Sequence, residues 1–435
     1  MNARTEKFSQ KAIQLYHHRN LIHFNDQETL IEAISNMLGL CGANPIAFLS
    51  IHARRPNLRL NDLDEAIFTD RTLLRANVFR NSLSLVNSQD FGIYYRALHQ
   101  PLKTSGLEKL APFGILEADI ERAEIRLQES NFGNSKTHEE IIDILYPNQS
   151  NHYSLDAQKL LIRKLCELGI IVRTFHKGWK GNDFSYALMK RWIPHLKLNT
   201  ENQESARVQL IRKYIRCYGP VSKQDILWWT GLNINQVNRS LSNLKRELTV
   251  LSSEVNKEEL WFLKDNLSLL ASSQTTHSFP IFLPPWDPFT TGWANRKRTI
   301  KSEYSHFVYD QLGNASSCIV DQGRIVGVWQ FRDSQEHIFE YHLFESYQEL
   351  QHDCRYAAER YANQLARISG SKVALVYQRP LPEPLPKRPA GSFFWPVGKE
   401  PPFKTNNPEL LQSPLERRIQ NPPRKPYLHT LSHTI

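Results

Sequence analysis

Hydrophobic positions recur at helical spacing through the middle of the chain, residues 208–263, and then alternate as in strands. One face of a first predicted helix is formed by Val208, Ile211, Ile215 and Tyr218. Ser222, with Asp225 three residues later, has the capping-box spacing that starts a second helix. Asn233, with Gln236 three residues later, starts a third helix in the same way. The pattern predicts three helices and a two-stranded wing, which is the order of a winged helix.

The third of these predicted helices has two chemically different faces. Its apolar face consists of Val237, Leu241, Leu244 and Leu248. Its polar face holds no carboxylate and consists of Asn235, Asn238, Arg239, Ser242 and Arg246. Because Asn and Arg pair bidentately with adenine and guanine edges in a major groove, this face predicts DNA contact about as readily as an ordinary solvated surface. Against DNA contact, the predicted wing tip carries Glu254, Glu258 and Glu259, which would repel phosphate.

The first hundred residues predict a similar order of elements. Predicted helices occupy residues 8–22, 29–38, 45–54, 63–67 and 90–99. Residues 73–79 and 83–86 flank a tight turn at Arg80-Asn81-Ser82 and resemble a wing. This is a first candidate winged-helix unit.

A second candidate unit follows. Thr137 with Glu140 and, later, Ser154 predict two helix starts, and Gly169 ends the second helix. Two predicted strands then enclose a turn that is both basic and aromatic, with Lys177, Trp179 and Lys180. Cations with an interleaved ring suit a phosphate backbone and an exposed base. The alternative is a surface hairpin whose lysines keep it soluble.

Beyond residue 279 the pattern changes to short strands, which suggests a small antiparallel sheet or barrel with one helix at 347–368. A compact basic cluster, Arg296, Lys297 and Arg298, precedes most of these strands. We therefore predict an α+β chain of tandem winged-helix (helix-turn-helix) units followed by a small antiparallel β domain. The predicted segments are three winged-helix units at 1–105, 106–200 and 201–270, a β-barrel-like domain with a helix at 271–379, and a proline-rich basic tail, disordered, at 380–435.

Composition favours a soluble protein with a polyanionic partner. The net charge is +10 and the isoelectric point about 9.2, which suits nucleic acid or an anionic membrane surface. No apolar run approaches a membrane span, so we expect no membrane partner. Five scattered cysteines without a CxxC pair predict neither disulfides nor zinc, and fit a cytoplasmic location. Metal, nucleotide and hydrolase motifs are missing, so we expect no metal and no small-molecule cofactor. A monomer is also expected, although no motif in the sequence bears on the oligomeric state.

Three stretches carry a family resemblance: GPVSKQDILWWTGL at 219–232, LPPWDPFTTGWANRKR at 283–298 and GRIVGVWQF at 323–331. Weaker stretches lie at 48–54, 79–90 and 186–194. Together they resemble the winged-helix DNA glycosylases of the AlkZ/YcaQ type, which excise alkylated bases and unhook interstrand cross-links. The resemblance implies three tandem winged helices and a small β domain that form a concave DNA-binding surface.

The resemblance also implies a catalytic Gln-x-Gln or Gln-x-Asp motif just ahead of FLSIHAR at 48–54, which holds or activates the attacking water. This chain reads LGLCGANPIA at 38–47, and no Gln, Asp or Glu occurs between Met37 and Arg54. Asn44 is the only carboxamide there; it could orient a water but is a poor base. Cys41 could act only with a strongly perturbed pKa. We transfer no catalytic residue, and Asn44 is the remaining candidate.

Other polar residues have ordinary interpretations. His17-His18 is expected to be a solvated pair rather than a metal site, and Asp287, between two prolines, to order a turn rather than to catalyse. Core packing is expected for at least one residue of each pair Tyr94-Tyr95 and Trp228-Trp229.

Three hypotheses for function follow. In the first, the protein resembles alkylation glycosylases and binds duplex or damaged DNA, without the family's catalytic motif. In the second, it is an active glycosylase with a rearranged site, in which Asn44 or a distant carboxylate positions water. In the third, it is a sequence-specific regulator that reads an operator through Asn235, Asn238 and Arg239.

Overall fold

The computed structural model describes residues 6–23, 27–104, 106–147, 153–176, 184–196, 198, 202–253, 258–273, 279–310, 313–332, 338–369 and 375–378. The helices are α1 (Gln10–Leu21), α2 (Leu30–Asn36), α3 (Ile46–His52), α4 (Leu60–Asp64), α5 (Ser88–Thr104), α6 (Leu107–Leu110), α7 (Glu117–Ser130), α8 (His138–Leu145), α9 (Leu155–Glu167), α10 (Met189–Trp192), α11 (Gln203–Tyr218), α12 (Lys223–Thr230), α13 (Ile234–Asn243), α14 (Leu267–Ala271), α15 (Pro288–Thr291), α16 (Ser305–Val308) and α17 (Gln351–Ser369). The strands are β1 (Glu6–Phe8), β2 (Leu40–Cys41), β3 (Leu73–Asn77), β4 (Leu83–Asn87), β5 (Ile171–His176), β6 (Phe184–Leu188), β7 (Leu248–Ser253), β8 (Glu259–Leu263), β9 (Ile281–Leu283), β10 (Cys318–Asp321), β11 (Arg324–Arg332), β12 (Ile338–Leu343) and β13 (Leu375–Gln378). The tail at 380–435 lies outside the described residues.

The middle of the chain has the predicted order of three helices and a hairpin. The hydroxyl of Ser222 accepts a hydrogen bond from the Asp225 amide at 3.1 Å, and the Asp225 carboxylate accepts from the Ser222 amide at 2.9 Å. Asn233 and Gln236 form the same reciprocal pair at the start of α13. Both predicted capping boxes are therefore confirmed, and β7 and β8 pair antiparallel after α13.

The third helix is shorter than its periodicity predicts. It ends at Asn243 with Leu244 as its C-cap, so Leu248 begins β7 and Arg246 lies in the intervening turn. The prediction that Arg246 shares the polar helix face is therefore wrong. The apolar spacing of the helix happens to continue into the buried start of the strand, which hides the boundary in the sequence.

Strands from the first two predicted units form one sheet, in the order β2-β4-β3-β5-β6. The link between the two hairpins is the pairing of Arg75 on β3 with Arg173 on β5. The helix starts predicted at Thr137 and Ser154 are confirmed, since each hydroxyl caps its helix. The division of the chain into domains remains a prediction.

The last sheet has the order β13-β12-β11-β10-β9. Its proline-flanked strand β9 lies at one edge, as the prolines predict. Four strands pair antiparallel, but β13 pairs parallel with β12, so the sheet is mixed rather than purely antiparallel. The chain returns through α17 between these two strands, and a helical crossover permits a parallel pair.

A continuous apolar core joins the first segment, the 201–270 segment and the last sheet. Its centre is aromatic: Tyr214 lies 4.8 Å from Trp229 between ring centroids, and Tyr218 lies 5.6 Å from Trp293. A second, smaller core lies among residues 110–188. The loop that matches the position of the family's catalytic motif borders the first core.

Candidate functional site

The loop 42–45 joins β2 to α3 at the position that the resemblance assigns to the catalytic motif. Asn44 is only 3% exposed, and its side-chain oxygen accepts a hydrogen bond from Nη2 of Arg75 at 2.9 Å. The Nε of Arg75 donates to the carbonyl of Gly42 at 3.2 Å. Asn44 is therefore packed against a buried guanidinium and is not placed to present a water to DNA.

Arg75 is a cation inside the fully buried strand β3, with 1% exposure. Burial lowers its pKa to about 10, and the charge of Asp64 opposes that shift, so the guanidinium stays charged at neutral pH. Its central carbon lies 5.7 Å from the ring centroids of both Phe68 and Phe184. Two rings and a loop therefore enclose this charge.

Asp64 is the last residue of α4, and its charge acts on the pKa of Arg75. The residue is half-buried. Burial raises the pKa of Asp64, and the charge of Arg75 lowers it. The sequence pattern alone does not single out Asp64 or Arg75. The available signal was Arg75 itself, a charged residue at an inward position of the strand LLRAN.

Cys41 is excluded as a base by its surroundings. The residue as a whole is half-buried, but enclosure of its thiol raises the pKa to about 11. The thiol is therefore protonated at neutral pH.

A second buried guanidinium, that of Arg54, holds the stretch at 283–298. Arg54 and Asp287 form a bidentate pair with both contacts at 2.7 Å and both side chains fully buried. Arg54 also donates to the carbonyls of Leu21 at 2.5 Å and Ser50 at 2.7 Å. Asp287 accepts from the amide of Phe289 at 2.9 Å and so caps α15. The expectation that Asp287 orders a turn is confirmed.

The predicted basic cluster at 296–298 does not stay together. Arg296 is 8% exposed, and its guanidinium lies over the rings of Tyr309 at 4.5 Å and Trp228 at 4.8 Å and donates to the Thr290 carbonyl. Arg298 pairs with the buried Asp225 at 2.8 Å. Lys297 is exposed. The expectation of a compact exposed cluster is corrected: two of its three cations are packed into the protein.

The polar face of α13 is exposed as expected. Asn235, Asn238 and Arg239 are all exposed, while Val237 and Leu241 on the other side are buried. Arg246 is exposed in the turn that follows. The remaining predicted DNA contacts, Lys177, Trp179 and Lys180, lie outside the described residues.

The expectation of a solvated histidine pair is wrong. His17 is 1% and His18 is 2% exposed. Nε2 of His17 lies 3.1 Å from the Gly219 carbonyl, and Nε2 of His18 lies 3.0 Å from Nε2 of His23. Burial lowers the pKa of each to about 3, with smaller contributions from Arg298 for His17 and from His23 and Arg54 for His18. Both histidines are thus neutral parts of the packed interior.

In the Trp228-Trp229 pair, Trp228 is half-buried and Trp229 is 6% exposed. The guanidinium of Arg80 lies 3.9 Å from the Trp228 ring centroid. Arg80 has a φ of 48°, in the left-handed region, at the tip of the β3–β4 hairpin. Tyr94 and Tyr95 are both buried. The expectation of core packing for these pairs is confirmed.

Within the described residues, no group of three or more His, Cys, Asp and Glu side chains could hold a metal ion. None of the described helices is long and apolar enough to cross a membrane.

Comparisons with known proteins identify the family to which this chain belongs. A family model described as DNA glycosylase AlkZ-like matches residues 42–367, which is most of the chain. The chain belongs to the AlkZ-like DNA glycosylase family, and the resemblance is confirmed. Among solved structures, Streptomyces sahachiroi DNA glycosylase AlkZ is similar with a TM-score of 0.72 and 18% identity, over 86% of this chain and 100% of that chain. At that identity the likeness shows a shared fold. A search of curated proteins finds no match.

Proposed function

We propose that this AlkZ-like protein binds duplex or damaged DNA, and that tandem winged-helix units present the binding surface. The observation that carries the proposal is the exposed, carboxylate-free face of α13, with Asn235, Asn238 and Arg239. Donors of this kind suit phosphate and base edges. Arg246, Lys297, Lys177 and Lys180 are candidate phosphate contacts, and Trp179 is a candidate stacking residue. Arg296 and Arg298 are left out of this footprint because their guanidinium groups are engaged inside the protein.

If the protein contacts the phosphate backbone of DNA rather than its bases, its affinity should depend on salt in a predictable way. Affinity for a random duplex should fall steeply with salt, and each lost phosphate contact should reduce the log–log slope by about 0.9. Arg239→Ala should therefore weaken binding and flatten the slope. Arg355→Ala is the matched control, because Arg355 is an exposed arginine on α17 whose side chain is 74% exposed. Equal affinity at low and high salt would contradict the proposal. A selection from random duplexes that returned a defined motif would instead favour a sequence-specific regulator.

A second candidate function is excision of alkylated bases by a rearranged site. The observation that favours it is the match to the AlkZ-like family over residues 42–367, although the loop at 42–45 itself lacks Gln, Asp and Glu. A 7-alkylated purine carries a positive charge and leaves readily, so a modest site is enough for its hydrolysis. Release of 7-methylguanine from DNA above the uncatalysed rate is the test. A monomeric, cytoplasmic protein without a cofactor remains a prediction.

A further inference from the structure

A group of cations around one tryptophan lies where β6 runs into α10. β6 ends at Leu188, and the single turn of α10 follows directly. Met189 and Ile193, four residues apart, are both buried and fix this turn on the core. Lys190 and Arg191 lie between them and are exposed. The spacing of the two apolar residues therefore turns both cations to solvent.

Arg71 reaches the same turn from a distant part of the chain. It lies just ahead of β3, and its guanidinium carbon is 4.1 Å from the ring centroid of Trp192. Its Nη1 donates to the carbonyl of Trp192 at 3.0 Å. Both residues are half-buried, so the stacked pair borders the solvent. We define the Trp192 patch as Arg71, Lys190, Arg191 and Trp192.

The cations of the Trp192 patch contact neutral groups. Arg191 donates to the side-chain oxygen of Asn131 at 2.6 Å and 3.0 Å, and within the described residues no carboxylate pairs with a cation of the patch. Residues 184–200 contain no Asp or Glu, and Asp70, the nearest carboxylate ahead of β3, is exposed. Arg59, in contrast, forms an ion pair at 2.6 Å with a carboxylate three residues later. The charge of the patch is therefore not cancelled by its surroundings.

We propose that the Trp192 patch binds the phosphate backbone of DNA, in addition to the face of α13. The inference rests on the proposed DNA binding and adds a contact to it. Cations without carboxylate partners gain most from phosphate, and a guanidinium held flat on a ring is oriented for that contact. The Trp192 ring is half-buried and covered by Arg71, so it is not placed to insert into a lipid bilayer. This favours a phosphate backbone over a membrane surface.

The Trp192 patch is separate from the turn at 177–183, which holds other predicted contacts. Ile171 pairs with Leu188 beside the patch, whereas His176 pairs with Phe184 beside the turn. Five residues of extended chain span about 16 Å, so one phosphate cannot touch both places. The patch is therefore an independent contact, and its loss should leave the other contacts intact.

The test replaces the exposed cations of the patch and measures affinity for one random-sequence duplex between about 0.1 M and about 1 M salt. The variants are Lys190→Gln and the double variant Lys190→Gln, Arg191→Gln. Lys159→Gln is the matched control, because Lys159 is an exposed lysine on α9 and the variant loses the same single charge. Thermal unfolding checks that each variant is folded.

We expect the log–log salt slope to fall by about 0.9 in Lys190→Gln and by about 1.8 in the double variant, because each lost phosphate contact removes about 0.9. Per contact, the loss of affinity should be about eightfold at about 0.1 M salt, and the curves should converge towards about 1 M salt. Lys159→Gln should keep the wild-type affinity and slope.

A second measurement locates the contact. Lysine side chains are acetylated with and without the duplex, and the modified residues are identified by mass spectrometry. Lys190 should be protected by the duplex, whereas Lys159 should react equally in both samples.

Four results would count against these proposals. If Lys190 is not protected, or if both patch variants bind with the wild-type affinity and slope, the Trp192 patch is not a DNA contact and binding through α13 stands. If Lys159→Gln causes the same loss as Lys190→Gln, the effect is one of net charge and the patch has no special role. If the variants lose binding to phosphatidylserine vesicles but not to the duplex, the patch binds a membrane instead. If the wild type binds no duplex, the proposed function itself fails.

Discussion

Two buried guanidinium groups organise two regions of this protein, and their partners differ. Arg54 meets the carboxylate of Asp287 in a bidentate pair with both side chains fully buried. Arg75, at the loop 42–45, donates to two neutral oxygens, and Asp64, whose charge acts on the pKa of Arg75, is only half-buried. Among the described residues, Nη1 of Arg75 has no hydrogen-bond partner.

The two regions differ in what their charged residues do. The stretches at 219–232 and 283–298, where the family resemblance is strongest, contain Asp225, Asp287 and Arg298, whose charges are paired inside the protein. These residues join segments that are distant in sequence. The loop at 42–45, in contrast, contains no charged residue, and Arg75 contacts it through two neutral oxygens. The charged residues in the two stretches therefore hold the fold together.

The largest expected effect of substitution is in the region of Arg54. Arg54→Ala leaves the carboxylate of Asp287 buried without its cation, which should lower the free energy of unfolding by about 3–5 kcal/mol. Chemical denaturation measures this. The control is Arg59→Ala, because the Arg59 side chain is 78% exposed in its pair with Asp62. An exposed pair of that kind contributes about 0–1 kcal/mol. If Arg54→Ala and Arg59→Ala lowered the free energy of unfolding by similar amounts, the buried pair would contribute no more to stability than the exposed pair.

The second expected effect is acid sensitivity in the same region. The pKa of His17, which stacks on Trp293, and that of His18, beside Arg54, are about 3 in the folded chain. Unfolded histidine has a pKa of about 6.5, so the unfolded chain binds more protons between these values. Stability should therefore fall as pH falls below about 6.5, by up to about 1.4 kcal/mol per pH unit for each histidine.

Denaturation curves between pH 7 and pH 4 would measure this slope. His17→Asn should reduce the pH dependence of the free energy of unfolding by the contribution of that one histidine. His352→Asn should leave the slope unchanged, because the His352 side chain is 95% exposed. If both variants kept the full slope, the buried histidine would not be its source.

The smallest expected effect is at the loop 42–45. Arg75→Met removes the donor to the Asn44 oxygen and the Gly42 carbonyl, which should cost about 1–3 kcal/mol for the groups left without a partner. Arg75→Lys keeps the charge but lacks the planar fork that reaches both oxygens, so it should recover only part of the loss. Unfolding by urea measures both variants. A larger loss for Arg75→Met than for Arg54→Ala would reverse the contrast between the two regions.

Local rules predicted the helix starts and failed where the answer depends on distant partners. Capping at Ser222, Asn233 and Thr137 involves residues three apart, so the sequence alone contains it. The burial of His17 and of Arg296 depends on partners such as Gly219 and Tyr309, which no local pattern reveals.

The candidate site was harder to predict than the fold for the same reason. The resemblance places the family's motif at the loop 42–45, where the sequence has no Gln, Asp or Glu, but the contacts of Asn44 and Gly42 with the strand residue Arg75 are visible only in the fold. Neither the spacing nor the composition of residues 38–54 indicates that connection.

The short strand β1 has a consequence for how the chain is made. Glu6 to Phe8 pair in parallel with Leu251 to Ser253, so the partner of this strand is synthesised more than two hundred residues later. During translation β1 cannot pair until its partner strand has been synthesised, and contacts of such long sequence separation form slowly. Addition of a bulky fusion ahead of β1 should therefore disturb the far hairpin β7–β8 rather than its own neighbours in sequence.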